Sequence, residues 1–181
     1  HPLAGPIRNL LHRDGRRELN QILIDDEENI IQALEAGVEI ESVYFAGDEV
    51  ISDTLREKLT PGATIHEVAK RTTKKIFEND KLSRIFAIAE TPKPKGLELL
   101  KTIKKDIVVL EDLSISGNIG NIIRTSLALN LGGMILLNMD PLDLYDRRHL
   151  QVERAASAKN LKYQMATITG TDLPFPTGGM K

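Results

Sequence analysis

The residues best suited to chemistry lie in segment 117–126, which reads Gly-Asn-Ile-Gly-Asn-Ile-Ile-Arg-Thr-Ser. On a helix with about 100° per residue, Arg124 falls between the small residues Gly120 and Ala128, which leaves room for a ligand beside its guanidinium. Asn118 is predicted near the helix N-cap, where its side chain can bond free backbone N–H groups. A helix start favours anions, and an arginine fork suits phosphate. By themselves these residues are also explained by a capped helix with an exposed arginine, an alternative that stays open.

Two apolar runs enclose this segment and predict the strands that position it. Residues 107–110 (Ile-Val-Val-Leu) precede the loop, and residues 134–137 (Met-Ile-Leu-Leu) follow the helix, which is predicted to end near Gly132 and Gly133. Glu111 and Asp112, next to the loop, could orient Arg124 or Asn118, or could equally cap a turn. The glycine spacing differs from the G-x-G-x-x-G dinucleotide fingerprint, so we exclude a nicotinamide-dependent enzyme.

The first half of the chain alternates between strand-like and helix-like patterns. This alternation predicts a layered α/β domain with a mainly parallel sheet. The expected strands are 19–24, 40–45, 63–65 and 84–89, and the expected helices run from Asp25 or Asp26 to Leu34, from 50 to 59 and from 68 to 77.

Composition shifts divide the chain into four expected parts. Residues 1–17 form a basic leader, and residues 18–90 form the first α/β domain. Residues 91–103 form a linker, because the prolines and lysines of 92–95 favour an extended, solvated spacer. Residues 104–181 form the second α/β domain.

Three groups of basic residues could contact the phosphates of a nucleic acid. The alternative for each group is a solvated surface, and Arg147 and Arg148 could instead meet an acidic partner. For the middle group, the shared helix face follows from the three–four spacing. The groups are Arg13, Arg16 and Arg17 in the leader, Lys70, Arg71, Lys74 and Lys75 in the first domain, and Arg147 and Arg148 in the second.

Bulk composition excludes several function classes. The formal net charge of −2 excludes a globally basic nucleic-acid binder, so any RNA contact must come from local patches. The sequence has no cysteine, which excludes disulfides and thiolate metal sites and fits a cytoplasmic protein. The histidines lack metal-ligand spacing, so we expect no metal. No apolar stretch reaches membrane-spanning length. The first residue is His1 rather than Met, which suggests a processed or trimmed N-terminus.

The segment 106–129, with Asn118 and Arg124, is similar to the first motif of the SpoU/TrmH branch of the SPOUT RNA 2′-O-ribose methyltransferases. Asp140 and the run 146–148 (Asp-Arg-Arg) are similar too. The first domain resembles the same family more loosely, in 23–27, 36–44 and 86–89 followed by Pro92 and Pro94. Within the branch, the chain is most similar to the thiostrepton- and nosiheptide-resistance ribosomal RNA methyltransferases.

This resemblance implies a fold, an activity and partners. The first domain would be a small RNA-binding module like those of some ribosomal proteins. The second would be a trefoil-knotted methyltransferase domain that binds S-adenosyl-L-methionine and works as a homodimer. Arg124 would be the catalytic arginine and Asn118 would help to order the site. The substrate would be 23S rRNA, where methylation of an adenosine ribose in the GTPase-associated region gives thiopeptide resistance.

The chain departs from the family at Lys159 and again after Gly170. The family's glycine-rich loop and its Ile-Pro-Met turn are not present in full, and Lys159 stands where the family usually has glycine. Leu173 and Pro174 resemble the start of the last motif and are the expected cofactor contacts. We therefore expect a segment between Gly170 and Thr171, and a C-terminal helix, to be missing. The alternative is a non-catalytic RNA-binding protein or pseudoenzyme with an incomplete cofactor site.

Overall fold

Two β-sheets organise the chain in a computed structural model that describes residues 4–78, 81–93, 97–113, 116–140, 144–146 and 165–168. Within these residues the first sheet has four strands and the second has three. The first part contains α1 (Ala4–Asn9), α2 (Arg13–Leu19), β1 (Gln21–Asp25), α3 (Glu27–Glu35), β2 (Ile40–Ala46), α4 (Asp53–Lys58), β3 (Thr64–Val68), α5 (Lys70–Ile76) and β4 (Ile85–Glu90). A 3₁₀ helix (Leu97–Lys101) follows, inside the expected linker, and then β5 (Ile107–Glu111), α6 (Ser116–Ala128), β6 (Gly133–Leu137) and β7 (Met165–Ile168).

The first sheet is mixed, and the expectation of a mainly parallel sheet is wrong here. Its order is β1-β4-β2-β3, and β4 pairs antiparallel with both of its neighbours. Only β2 and β3 form a parallel pair. The helical connections do make β1, β2 and β3 point the same way. The last strand, however, inserts between β1 and β2 in the opposite direction, and no local pattern specifies that insertion.

Both faces of the first sheet are buried, which explains its apolar strands. Along β4, Phe86 and Ile88 pack on one face and Ala87 and Ala89 on the other. The first face is covered by α1 and α5, and the second by α3 and α4. A strand buried on both faces shows a continuous apolar run whether its partners are parallel or antiparallel, so the pattern reports burial more reliably than direction.

The residues of the expected leader belong to this core. Ala4, Ile7 and Leu10 are at most 6% exposed and pack with Phe77 and Phe86. Residues 4–17 are therefore part of the first folded unit, which is the four-stranded sheet with the helices that cover it. They do not form the separate basic leader that the sequence predicts. Apolar residues at positions 4, 7 and 10 recur at helical spacing among the basic ones, and they bury one side of the segment.

The second sheet is parallel throughout its described strands, in the order β5-β6-β7. α6 connects β5 to β6 and packs on one face of the sheet through Ile119, with Met134 and Leu136 opposite. Strand, helix and adjacent parallel strand agree with the pattern expected from 107–137. None of the helices in the described parts of the chain is long and apolar enough to cross a membrane.

Candidate functional site

The carboxyl ends of β5 and β6 form the edge of the second sheet from which α6 begins. Because the strands are parallel, Glu111 and Leu137 are paired at this same edge. α6 starts at Ser116, five residues after the end of β5. In open α/β sheets, ligands bind in the crevice outside the carboxyl ends of the strands. This edge is therefore the candidate site.

Polar residues follow each of these two strands and are bonded to each other. Asp112 and Asn138 have left-handed backbones, with φ of 49° and 52°, a conformation that Asp and Asn adopt more readily than most residues. The backbone N–H of Asp112 donates to the carbonyl of Leu137 at 3.1 Å. The Asn138 amide approaches the Glu111 carboxylate at 3.5 Å. Glu111, Asp112 and Asn138 are all exposed, so the edge presents carboxylate and amide groups to solvent.

Asn118 lies inside α6 rather than at its cap. The helix begins at Ser116, which makes Asn118 its third residue, and its side chain is exposed. Asn118 therefore lies in the first turn of α6, near the N-cap as predicted but three residues inside it. The predicted apolar stripe is confirmed where side chains are described: Ile119 and Ser126 are buried, and Ile122 and Ile123 are half-buried.

Arg124 occupies the helix position that the sequence predicts. Gly120 is buried and Ala128 is exposed, each one turn away along α6. Arg124 lies six positions after Asn118, which is about 9 Å along the axis at 1.5 Å per residue. The side chain of Arg124 lies outside the described part of the structure. So do Arg147, Arg148, Leu173 and Pro174, whose expected roles remain predictions.

The basic helix α5 presents its charges to solvent. Thr73 and Ile76 are buried against the first sheet, while the four basic residues Lys70, Arg71, Lys74 and Lys75 are exposed. Lys70 forms an ion pair with Asp48 at 2.7 Å. Its hydrogen bond and its charge lower the pKa of the Asp48 carboxyl. The other three form no ion pair with any carboxylate in the described parts of the chain.

The three leader arginines differ in their surroundings. Arg16 is 2% exposed, donates to the carbonyl of Leu10 at 3.1 Å and lies 3.8 Å from the Asp146 carboxylate. A buried guanidinium cannot reach RNA phosphates, so we correct the expectation that Arg16 binds RNA. Arg13 and Arg17 are about half exposed and both pair with Asp140.

Sequence reasoning missed Asn138 as a member of the sheet edge. A signal existed, since Asn138 directly follows the apolar run 134–137, as Glu111 and Asp112 follow theirs. The pairing of Asp140 and Asp146 with the leader arginines had no such signal, because more than 120 residues separate the partners. Among the described residues, no group of three or more His, Asp or Glu is placed to hold a metal ion.

Comparison with known families identifies the chain through its first half. Residues 1–103 match the family model described as "Thiostrepton-resistance methylase, N terminus". That match covers more than half of the 181 residues. The chain belongs to this thiostrepton-resistance methylase family.

Curated relatives of this chain are found in two Streptomyces species. The chain is 29% identical over 143 residues to a 23S rRNA (adenosine(1067)-2′-O)-methyltransferase of Streptomyces azureus, covering 78% of this chain and 53% of the relative. It is 29% identical over 175 residues to a protein of the same name from Streptomyces laurentii, covering 93% and 63%. The chain thus spans about half to two-thirds of the length of these relatives.

A solved structure shares the fold of this chain. The SpoU methyltransferase AviRb from Streptomyces viridochromogenes, in complex with the cofactor AdoMet, aligns with a TM-score of 0.74 and 21% identity over 93% of this chain and 63% of that one. The α/β fold class and the resemblance to SpoU methyltransferases are confirmed. The trefoil knot remains an expectation.

Proposed function

We propose that this protein is an S-adenosyl-L-methionine-dependent RNA 2′-O-ribose methyltransferase that modifies 23S rRNA and thereby confers thiopeptide resistance. The match of residues 1–103 to the thiostrepton-resistance methylases carries this proposal. The names of the Streptomyces relatives supply the substrate and the 2′-oxygen. The finer expectations, a trefoil-knotted homodimer in the cytoplasm that needs no metal, belong to the same proposal.

RNA is bound in part by the exposed face of α5. Arg71, Lys74 and Lys75 are exposed and form no ion pairs in the described parts of the chain, so their charges are available to phosphates. Lys70 must first give up its contact with Asp48. Contacts of this kind supply affinity without sequence information, and the choice of nucleotide has to come from elsewhere.

The second sheet holds the methyl-transfer site at its carboxyl edge. When bound, S-adenosyl-L-methionine supplies the methyl group. The exposed Glu111 carboxylate and Asn138 amide fit the hydrogen-bonding needs of ribose hydroxyls and an adenine amine, while Leu173 and Pro174 stay predicted contacts. The family resemblance assigns general-base assistance to Arg124. An ordinary arginine is a poor base because its pKa exceeds about 12, so we assign Arg124 to holding an RNA phosphate and orienting the 2′-hydroxyl.

Arg124→Ala tests this assignment in the complete protein. Methyl transfer from radiolabelled S-adenosyl-L-methionine to a 23S rRNA fragment should fall by about 100-fold or more, the scale of one lost positioning or acid–base group. Arg56→Ala is the matched control, because Arg56 is an exposed arginine on α4, across the first sheet from α5. Undiminished transfer in Arg124→Ala would remove Arg124 from the mechanism. RNA binding without any transfer by the wild-type protein would favour the non-catalytic alternative.

A further inference from the structure

Three residues near the end of β6 contact the first folded unit. The second folded unit is the three-stranded sheet with α6. We infer that three residues, together called the docking patch, fix the orientation of this unit relative to the first: Asp140, Tyr145 and Asp146. Arg16 is the positioning residue of the first unit that pairs with Asp146 of the patch. The proposal gives Arg16 a role in place of the RNA contact that its burial excludes.

The central contact is a buried ion pair. The side chain of Arg16 is 2% exposed and that of Asp146 is 13% exposed, with 3.8 Å between Nη2 of the arginine and Oδ2 of the aspartate. A second nitrogen, Nη1, donates to the carbonyl of Leu10 at 3.1 Å, so the guanidinium is tied to the turn between α1 and α2. Charges removed from water need matched partners in a fixed geometry. Such a pair specifies one arrangement of its two elements even where it adds little stability.

A second, exposed contact lies beside it. Arg17 donates to Asp140 Oδ2, and Nε of Arg13 lies 3.9 Å from the same oxygen. The three arginines lie on one short helix, and the two aspartates are six residues apart. Exposed pairs are individually weak. Here they add a second point of attachment, and two points restrict rotation about the first.

An apolar contact completes the arrangement. Tyr145 is 7% exposed and packs in the same core cluster as Ile22 and Ala89 of β1 and β4. The residue next to Asp146 is therefore inserted into the first core, although it follows a strand of the second sheet. Charge pairing and core insertion at adjacent positions make the docking patch part of the first unit's fold.

The inference deepens the proposed function on which its biological meaning rests. RNA held on α5 reaches the candidate site at the second sheet only if the two units keep a set separation. Arg16 contacts neither RNA nor cofactor and acts by holding that separation. Without such a contact, units joined by a linker are expected to move relative to each other.

Electron spin resonance distance measurement tests the proposal without RNA or cofactor. Val50 is 83% exposed in the first unit and Leu129 is 67% exposed in the second. The sequence has no cysteine, so Val50→Cys with Leu129→Cys directs one spin label to each unit. The labelled protein should give one narrow distance distribution, and Arg16→Met should broaden it by about twofold or more. Arg56→Met, which removes an exposed arginine from α4, should leave it narrow.

Two further measurements keep the test decisive. If Arg16→Met fails to fold, two milder variants replace it. One is the single change Asp146→Asn, and the other is the double change Arg17→Gln with Asp140→Asn. Each should also broaden the distance distribution. A wild-type distribution in every folded docking-patch variant would overturn the proposal. In the methyl-transfer assay, Arg16→Met should lower kcat while leaving RNA affinity within about twofold, because α5 is untouched. An inactive wild-type protein with a narrow, Arg16-dependent distance would refute the proposed activity and support the docking patch.

Discussion

The Tyr145 hydroxyl donates a hydrogen bond to the backbone carbonyl of Pro92 at 3.3 Å. Pro92 lies two residues after the end of β4. The backbone N–H of Thr91, which stands between them, donates to the carbonyl of Asn20. The segment that follows β4 of the first sheet is thereby linked to Tyr145, which follows β6 of the second sheet. This bond places a titratable phenol in a core that excludes water.

Burial raises the pKa of Tyr145 from 10.0 to about 12. The unfolded chain loses this proton near pH 10, whereas the folded protein keeps it until about pH 12. The stability contributed by the neutral phenol is therefore complete below pH 10 and is lost as pH rises toward 12. A shift of two units corresponds to about 2–3 kcal/mol. Thermal unfolding of the wild-type protein should show this loss between these pH values.

Tyr145→Phe removes the group that titrates. The melting temperature of this variant should fall less steeply than that of the wild type as the pH rises from 10 to 12. Below pH 10 the two melting temperatures should differ only by a constant amount, which reflects the lost hydrogen bond. Absorbance titration of tyrosinate checks the assignment independently. Equal alkaline slopes for the two proteins would show that Tyr145 ionises in the folded state as it does in water.

The Lys70–Asp48 pair predicts a weaker effect at acid pH. The hydrogen bond from Lys70, followed by its charge, lowers the pKa of Asp48 below 3.8. A carboxyl whose pKa is lower in the folded state stabilises the folded protein at pH values above its unfolded pKa. That contribution to stability is lost as the pH falls through the folded pKa. Lys70→Met should therefore be slightly less stable than wild type at pH 7, and the gap should close below pH 3.8. Lys74→Met is the control, since Lys74 forms no ion pair in the described residues; a matching pH-dependent gap there would contradict the pairing.

Gly15 predicts a tight approach of α2 to the end of α1. A Cβ at this position would collide with the backbone carbonyl of Asn9, whereas one at Gly5 would meet nothing within 4 Å. Gly15→Ala should cost about 1–3 kcal/mol, because backbone must shift to admit the methyl group. Gly5→Ala should stay within about 0.5 kcal/mol, as surface substitutions usually do. Urea unfolding of both variants measures the difference, and equal midpoints would show that the two helices separate freely.

The exposed face of α5 predicts salt-dependent RNA binding. Changing Arg71, Lys74 and Lys75 to alanine should weaken binding to all RNA sequences alike and reduce the slope of log K against log salt by about 2–3, nearly one unit per lost phosphate contact. The affinity for S-adenosyl-L-methionine should not change. Arg56→Ala with Lys58→Ala, on α4 across the sheet, is the matched control. An unchanged slope in the triple variant would show that the basic residues of α5 form a solvated surface that does not contact RNA.

Local sequence determined the helices and strands from β1 to β4 and from β5 to β6, but not α1, α2, the 3₁₀ helix or β7. The apolar runs at 107–110 and 134–137 specified two strands, and the spacing of Ile119, Ile122 and Ile123 specified the buried side of α6. These signals are local because a strand or helix is read from the residues it contains. They also carried the family resemblance and the position of Arg124 on its helix.

Only the tertiary structure decided the direction of β4, the packing of residues 4–17 against the first sheet and the role of Arg16. An apolar strand whose two faces are both covered can pair with parallel or antiparallel neighbours, so its apolar pattern does not specify a direction. The sequence of the basic segment around Arg16 indicates a solvated surface, because the carboxylate that pairs with the buried Arg16, that of Asp146, is more than 120 positions away. Such pairings depend on which surfaces the finished fold brings together, and no window of neighbouring residues contains that information.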